Sequence, residues 1–271
     1  MLNLISGLGS IAIYWYSGWD PIWLGVFFTT FPVPFFLMVL SQALKITRTS
    51  KNLPLFQLLS LVSLAWVFYC LYTRQGASVP LEYIALGMTI FGALSLQWYI
   101  RVFSPYRRKK SASIIRNQTL PELPLEQLNG TKISSSSFAG TKTLIVFFRA
   151  NWCPFCMNQL KEIVGQASRL KKAGVQVKFV SNQGAKNSRK LEKDLKLPDN
   201  FEILQDEDLQ AARILGIADI GGSPVGMPGY PADTVMATVI ALNAEGKVLF
   251  GDETDNYRVR PHPNTFLPVF E

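Results

Sequence analysis

The chain has 271 residues, enough for about two domains, and it carries a formal net charge of +8. The charge is +3 over residues 1–104, +5 over residues 105–116 and zero over residues 117–271. Because a nucleic-acid-binding domain is itself basic, this distribution argues against DNA or RNA as a partner. Three cysteines are also too few for a secreted domain that is stapled by disulfides.

Residues 1–104 consist largely of stretches that lack charged residues. A helix that crosses a bilayer needs roughly 17–25 apolar residues, so we expect a transmembrane anchor of three to four helices here. The expected spans lie at about 1–19, 21–44, 53–73 and 81–103. Small and polar residues interrupt the first stretch. A secretory signal peptide is the alternative there, although no basic segment precedes it.

The basic residues of this region indicate an orientation. Lys45, Arg48 and Lys51 separate the second and third stretches, and residues 101–110 follow the fourth with five further basic side chains. The positive-inside rule places both clusters in the cytoplasm. We therefore expect an integral protein of a bacterial inner (plasma) membrane. Its residues 105–116 form a basic linker near the lipid headgroups, and the domain that follows faces the cytoplasm.

From residue 117 to residue 271 the pattern changes to that of one soluble α/β domain. An Asn129-Gly130 turn predicts a hairpin within Leu123–Ser134. Continuous apolar runs predict two buried strands, Thr143–Phe148 and Val175–Ser181. The remaining predicted elements are helices Pro154–Lys172, Ala185–Lys196 and Asp208–Leu215, and strands Phe201–Leu204, Ala237–Leu242 and Lys247–Phe250.

The strand Thr143–Phe148 leads into Cys153-Pro154-Phe155-Cys156 at the start of a predicted helix. A dithiol in this place is typical of thioredoxin-like redox sites, because the helix N-terminus stabilises a thiolate. The second cysteine lies one turn away, within reach of a disulfide. Pro154 suits the first helical turn. A structural zinc site needs four ligands, and the chain has too few cysteines and histidines to supply them, so we expect neither a metal nor a bound cofactor. A cysteine pair without redox activity is the remaining alternative.

The run from Arg149 to Cys156, followed by Asn158-Gln159-Leu160, resembles the redoxin group of the thioredoxin superfamily. These are the peroxiredoxin-like (alkyl hydroperoxide reductase/thiol-specific antioxidant) proteins. The resemblance covers residues 121 to about 250. It implies a thioredoxin-like α/β domain, in which helices flank a central mixed sheet. It further implies that Cys153 is the nucleophile and Cys156 the resolving thiol. Its place before the helix predicts that Cys153 is the more exposed and more acidic thiol.

Two features depart from the patterns of this group. Peroxidatic sites resemble Pro-x-x-x-Thr-x-x-Cys, but Val146 and Ala150 take the Pro and Thr places when the count starts from Cys153. Counting from Cys156 instead puts Arg149 in the Pro place and Cys153 in the Thr place, so neither register fits. The second departure is Met236, which stands near the place where peroxiredoxins carry an arginine and thioredoxins a cis-proline.

The preferred function is a membrane-anchored thiol–disulfide oxidoreductase that uses Cys153 and Cys156. The alternatives are a thiol-dependent peroxidase and a non-enzymatic membrane redox sensor. Arg149 is a candidate to stabilise a thiolate or bind an anion, unless it is a solvated arginine at a strand end. Trp152 and Pro154 are further supporting candidates. The expected partners are the lipid bilayer and protein or small-molecule thiols and disulfides, and no oligomeric state is predicted.

Overall fold

The computed structural model describes residues 2–74, 80–224 and 227–271. Its contacts divide the chain into two compact units, Met1–Pro105 and Tyr106–Glu271. The basic residues 106–116, which we expect to be a linker, belong to the second unit. The two units are described separately below.

The N-terminal unit is helical. Its helices are α1 (Leu2–Tyr16), α2 (Ile22–Thr30), α3 (Pro32–Phe35), α4 (Ser41–Ala43), α5 (Pro54–Thr73) and α6 (Pro80–Trp98), with π-helical turns at Phe36–Leu40 and Tyr99–Phe103. Within the described residues, three continuous helical segments are long and apolar enough to cross a membrane: Ile22–Ala43, Pro54–Thr73 and Leu81–Phe103. Helix α1 has 15 residues, fewer than a span requires.

Small residues allow the helices of this unit to approach closely. A Cβ atom on Gly25 would lie 2.5 Å from Val67 Cγ2, and one on Gly92 would lie 2.7 Å from Thr29 Cγ2. The Thr29 hydroxyl is satisfied within its own helix, where it donates to the Gly25 carbonyl at 2.8 Å. Close backbone approach at small residues is typical of helices that pack in a membrane.

A seven-stranded mixed sheet forms the centre of the C-terminal unit. Its strands are β1 (Pro124–Gln127), β2 (Lys132–Ser134), β3 (Lys142–Phe147), β4 (Val175–Ser181), β5 (Phe201–Gln205), β8 (Thr238–Leu242) and β9 (Val248–Asp252). They lie in the order β2-β1-β5-β4-β3-β8-β9. Strands β3, β4 and β5 are parallel, whereas the outer pairs are antiparallel. The predicted mixed sheet of thioredoxin-like type is therefore confirmed.

Helices cover this sheet. They are α7 (Pro154–Val164), α8 (Ala167–Lys172), α9 (Ala185–Leu195), α10 (Gln210–Ile214) and α11 (Pro263–Phe266). The predicted helix Pro154–Lys172 is divided between α7 and α8, where the chain turns at Gly165. Strands β6 (Ala218–Asp219) and β7 (Thr234–Val235) form a second small sheet. The prediction missed them because two-residue strands beside a Gly- and Pro-rich loop give no periodic signal.

The two ends of this unit pack against the sheet. Arg108 donates to the carbonyls of Glu253 and Thr254, both at 3.0 Å, and to the Thr238 hydroxyl at 2.8 Å. The C-terminal end contacts the start of β3, where Lys142 Nζ donates to the Phe270 carbonyl at 2.7 Å. Hydrogen bonds of this kind fix chain segments that contain little regular structure.

Candidate active site

The dithiol lies where strand β3 gives way to helix α7. Phe148 continues the strand direction, since its N–H donates to the Val180 carbonyl at 2.9 Å. Cys153 is the N-cap of α7 and has an extended backbone, with φ −87° and ψ 108°. Pro154 occupies the first turn, where its missing N–H costs no hydrogen bond. Cys156 follows within the same turn, so the predicted position of the pair at a helix start is found in the structure.

Both thiols are free and buried, with 1% of Cys153 and 0% of Cys156 exposed. Neither sulfur is accessible, so the expected difference in exposure between Cys153 and Cys156 comes to only one percentage point. The reason is packing on both sides of the first turn of α7. The neighbouring Phe155 is itself fully buried, and its ring contacts Tyr257 edge-on with 6.0 Å between centroids.

A cationic donor lies beside the sulfur of Cys156, the guanidinium of Arg260, whose Nη2 is 3.3 Å from Sγ. Hydrogen bonding by the Cys153 thiol and by the backbone N–H of Arg149 also favours the thiolate of Cys156. Burial opposes ionisation, but the Cys153 hydrogen bond and the charge of Arg260 outweigh it and lower the pKa of Cys156 to about 6.

Cys153 behaves in the opposite way. Burial raises its pKa well above the usual range for a thiol, and the hydrogen bond that it gives to Cys156 adds to this rise. The prediction that Cys153 is the more acidic thiol is therefore wrong. The helix N-terminus favours a thiolate at Cys153 in isolation, but the buried guanidinium of Arg260 contacts Cys156 instead.

Arg149 is buried beside the dithiol, which excludes the solvated strand-end arginine. Its guanidinium carbon lies 4.7 Å from the ring centroid of Trp152 and 5.0 Å from that of Tyr257, within the range of cation–π interactions. Its Nη2 donates to the Gly222 carbonyl and lies 3.9 Å from Asp219 Oδ2. The side chain of Arg149 thus connects the dithiol region to the loop after β6.

The sequence prediction missed Tyr106, Tyr257 and Arg260. Tyr106 is partly buried near these groups, and its Oη accepts from the Ala237 N–H at 3.1 Å. Burial raises the pKa of this phenol, so it stays protonated at neutral pH. No local pattern marks these three residues, because each lies far from the dithiol in sequence. The arginines of the Arg258-Val259-Arg260 run were the available signal.

Met236 stands near the place where peroxiredoxins carry an arginine, and its uncharged side chain does not replace that positive charge. Its N–H donates to the Ile217 carbonyl at 2.7 Å, and its side chain packs against the apolar core. The positive charges at the dithiol come from Arg149 and Arg260. Within the described ranges, no group of three or more His, Cys, Asp or Glu residues is placed to hold a metal ion.

Residues 117–249 match the model of the AhpC/TSA family. Chloroplastic peroxiredoxin Q of Sedum lineare is 29% identical over 129 residues, which cover 46% of this chain and 68% of that protein. Peroxiredoxin Bcp of Escherichia coli K12 is 29% identical over 141 residues, 51% of this chain and 86% of that protein. Other plant relatives are matched over as little as 55% of their length.

Solved structures agree with this fold. The reduced Prx3 of Vibrio vulnificus in complex with hydrogen peroxide superimposes with a TM-score of 0.50 at 22% identity. The superposition covers 58% of this chain and 99% of that protein. Sheet topology, dithiol position and family match are consistent with one another. Residues 117–249 are therefore an AhpC/TSA-family domain of thioredoxin-like fold.

Proposed function

We propose that the C-terminal unit is an oxidoreductase of the thiol peroxidase type, in which the Cys156 thiolate reduces a hydroperoxide. The observation that carries this proposal is the buried guanidinium of Arg260, whose Nη2 lies 3.3 Å from Cys156 Sγ. A thiolate is the nucleophilic form of cysteine, and a pKa of about 6 keeps Cys156 ionised at neutral pH. The peroxiredoxin names of the relatives support the same reaction class.

The proposed cycle has three balanced steps. The Cys156 thiolate attacks one oxygen of ROOH, the O–O bond breaks, and the leaving alkoxide takes a proton to become ROH. This leaves Cys156 as a sulfenic acid. The thiol of Cys153 then displaces its hydroxyl as water and forms the Cys153–Cys156 disulfide. Two equivalents of a small thiol reduce this disulfide and are themselves oxidised to a disulfide.

This cycle gives Cys156 the role of nucleophile and Cys153 that of resolving thiol, the reverse of what the resemblance implies. The electrostatics favour the exchange of roles, because Arg260 contacts Cys156. Counting back from Cys156, Arg149 takes the place of the proline and Cys153 that of the peroxidatic threonine. The Cys153 thiol favours the Cys156 thiolate through a hydrogen bond, as a hydroxyl could from the same place.

Burial of the dithiol favours a small substrate. A protein disulfide cannot approach a sulfur atom with no exposed surface, whereas a hydroperoxide needs only a small movement of the side chains around the site. Thiol–disulfide exchange is the second candidate function. In the proposed cycle it occurs only in the last step, when a thiol reduces the Cys153–Cys156 disulfide. A non-enzymatic sensor would undergo the same oxidation without repeated turnover.

We further propose that the N-terminal unit holds this domain at a membrane, with the domain in the cytoplasm. The three apolar helical segments and the basic residues after the last of them support this proposal. Extraction of membranes at alkaline pH should leave the protein in the pellet. A reporter fused after Glu271 that is active only outside the cytoplasm would overturn the orientation.

The function is tested on the full-length protein in detergent, with C70A removing the third cysteine. Hydrogen peroxide should convert the parent to the internal disulfide, and a thiol reductant should support repeated peroxide consumption. C156S should abolish peroxide consumption. C153S should react once and leave a sulfenic acid that dimedone traps. Undiminished consumption by C156S would refute the proposal, and one oxidation without turnover would favour the sensor.

A further inference from the structure

The family match ends at residue 249, but the chain beyond it enters the dithiol site. Residues 253–271, called here the C-terminal segment, carry Tyr257 and Arg260. Tyr257 contacts the Arg149 guanidinium and the Phe155 ring. Arg260 is buried and places Nη2 3.3 Å from Cys156 Sγ. A charged side chain is rarely buried unless a partner compensates it.

We infer that Arg260 is a catalytic residue of this site, and that the C-terminal segment is held against the domain so that its guanidinium reaches Cys156. This inference rests on the proposed peroxidase function and extends it. The AhpC/TSA part of the chain, residues 117–249, supplies the two sulfurs, and the segment outside it supplies a charge that ionises one of them.

Arg260 is better placed for this role than Arg149. The guanidinium of Arg149 is shared among the Gly222 carbonyl, the Asp219 carboxylate and two aromatic rings. Its contribution to Cys156 comes first from its backbone N–H. Arg260, in contrast, donates directly from its side chain to Sγ. A charged donor forms a stronger hydrogen bond to a thiolate than a neutral N–H does.

The C-terminal segment is fixed at several points, as the role requires. At its start, Glu253 and Thr254 accept from Arg108. Beyond Arg260, the His262 side chain caps helix α11 by accepting from the Asn264 N–H at 3.1 Å. Phe266 is fully buried, and Glu271 pairs with Arg169. Contacts on both sides of Arg260 limit the movement of its backbone, which preorganises the guanidinium.

In the proposed reaction Arg260 does not transfer a proton, because a guanidinium stays protonated in proteins. It holds Cys156 as the thiolate before the attack. As the O–O bond breaks, negative charge moves from sulfur to the leaving oxygen, and a guanidinium beside the sulfur is close enough to stabilise that charge. The proton that completes ROH comes from water or from the medium.

The test compares R260Q and R260K with the parent in full-length C70A/C153S protein, where Cys156 is the only cysteine. The thiolate is titrated by its absorbance near 240 nm against the matching C156S protein. We expect R260Q to raise the Cys156 pKa by about 1–3 units, the range found for loss of a neighbouring opposite charge. R260K keeps a charge but loses the fork geometry, so its shift should have the same direction and a smaller size.

R169Q is the matched control, since Arg169 contacts the same segment through Glu271 and not the dithiol. It should leave the titration unchanged. A Cys156 pKa in R260Q equal to that of the parent would overturn the inference. The proposed peroxidase function would still be supported separately by loss of peroxide consumption in C156S. If R260Q does not fold, a parental titration and oxidation rate in R260K would overturn it. A shift in R169Q equal to that in R260Q would show a general effect of the segment and would also overturn it.

Discussion

The guanidinium of Arg149 contacts two aromatic rings, with the centroid of Trp152 at 4.7 Å and that of Tyr257 at 5.0 Å from its central carbon. One ring belongs to the dithiol loop and the other to the C-terminal segment. The arginine therefore joins two parts of the site that are far apart in sequence. Since Arg149 is buried, these rings compensate part of the cost of removing its charge from water.

Replacement of Trp152 should therefore weaken the folded C-terminal unit. We expect W152A to lower the free energy of unfolding by about 1–3 kcal/mol, because it removes both packing and a desolvated cation–π contact. W152F keeps an aromatic face and should lose less. Urea unfolding of the detergent-solubilised protein measures the difference. Equal stability of W152A and the parent would mean that the contact contributes nothing.

The rate of oxidation by hydrogen peroxide should depend on pH through Cys156. Its thiolate is the reactive form, so the second-order rate constant should rise as pH passes about 6 and level off above it. Stopped-flow oxidation between pH 4.5 and 8, values spaced around the pKa of about 6, measures this profile. An inflection near the free-cysteine value of about 8.5 would contradict it.

The same ionisation links stability to pH. The folded-state pKa of Cys156 lies below that of an unfolded thiol, so folding favours the ionised form. Its stabilising contribution is complete above about pH 8.5, the unfolded value, and is lost as pH falls through the folded value. The stability difference between the parent and C156S, measured by urea unfolding, should therefore shrink from about pH 8.5 to about pH 5.

Asp206 caps helix α10 with both carboxylate oxygens. Oδ1 accepts from the Ala211 N–H at 3.0 Å and Oδ2 from the Ala212 N–H at 2.8 Å. Because the site is buried, D206A would leave two donors without a partner and should cost about 1–3 kcal/mol of stability. The exposed Asp208 is the matched control, and D208A should change stability by less than about 0.5 kcal/mol. Similar losses in both variants would argue against the cap.

Gly251 in β9 gives room to Ile114, which precedes the sheet in the chain. A Cβ atom at position 251 would overlap with Ile114 Cγ2. G251A should therefore destabilise the C-terminal unit by about 1–3 kcal/mol through overpacking. The double variant I114A/G251A should recover part of that loss. Additive effects of the two substitutions, measured by urea unfolding, would show that the side chains do not compete for space.

Local patterns were sufficient for the centre of the fold. The apolar run of β4 was placed with its observed bounds, and the strand before the dithiol differs by one residue at each end. The position of Cys153 and Cys156 at the start of α7 followed from strand, proline and helix signals within about a dozen residues. Such elements are set by side chains that are close in sequence, so periodicity and capping rules describe them.

The relative acidity of the two thiols could not be predicted in this way. It depends on Arg260, which is 104 positions from Cys156 in the chain and reaches the sulfur only after the last segment has folded back. Tyr106 enters the same region from the other end of the unit. An argument from the helix N-terminus considers one charge effect, whereas the pKa of Cys156 depends on burial, a neighbouring thiol and two guanidinium groups.

The folded-back C-terminal segment also determines which truncated fragments of this protein retain the intact dithiol site. A fragment bounded by the family match would retain both cysteines but lack Tyr106 and Arg260, and its core would be opened where Phe266 packs. Cysteine chemistry measured on such a fragment would lack the contribution of the Arg260 guanidinium. The smallest piece that keeps the dithiol in its native surroundings runs from Tyr106 to Glu271.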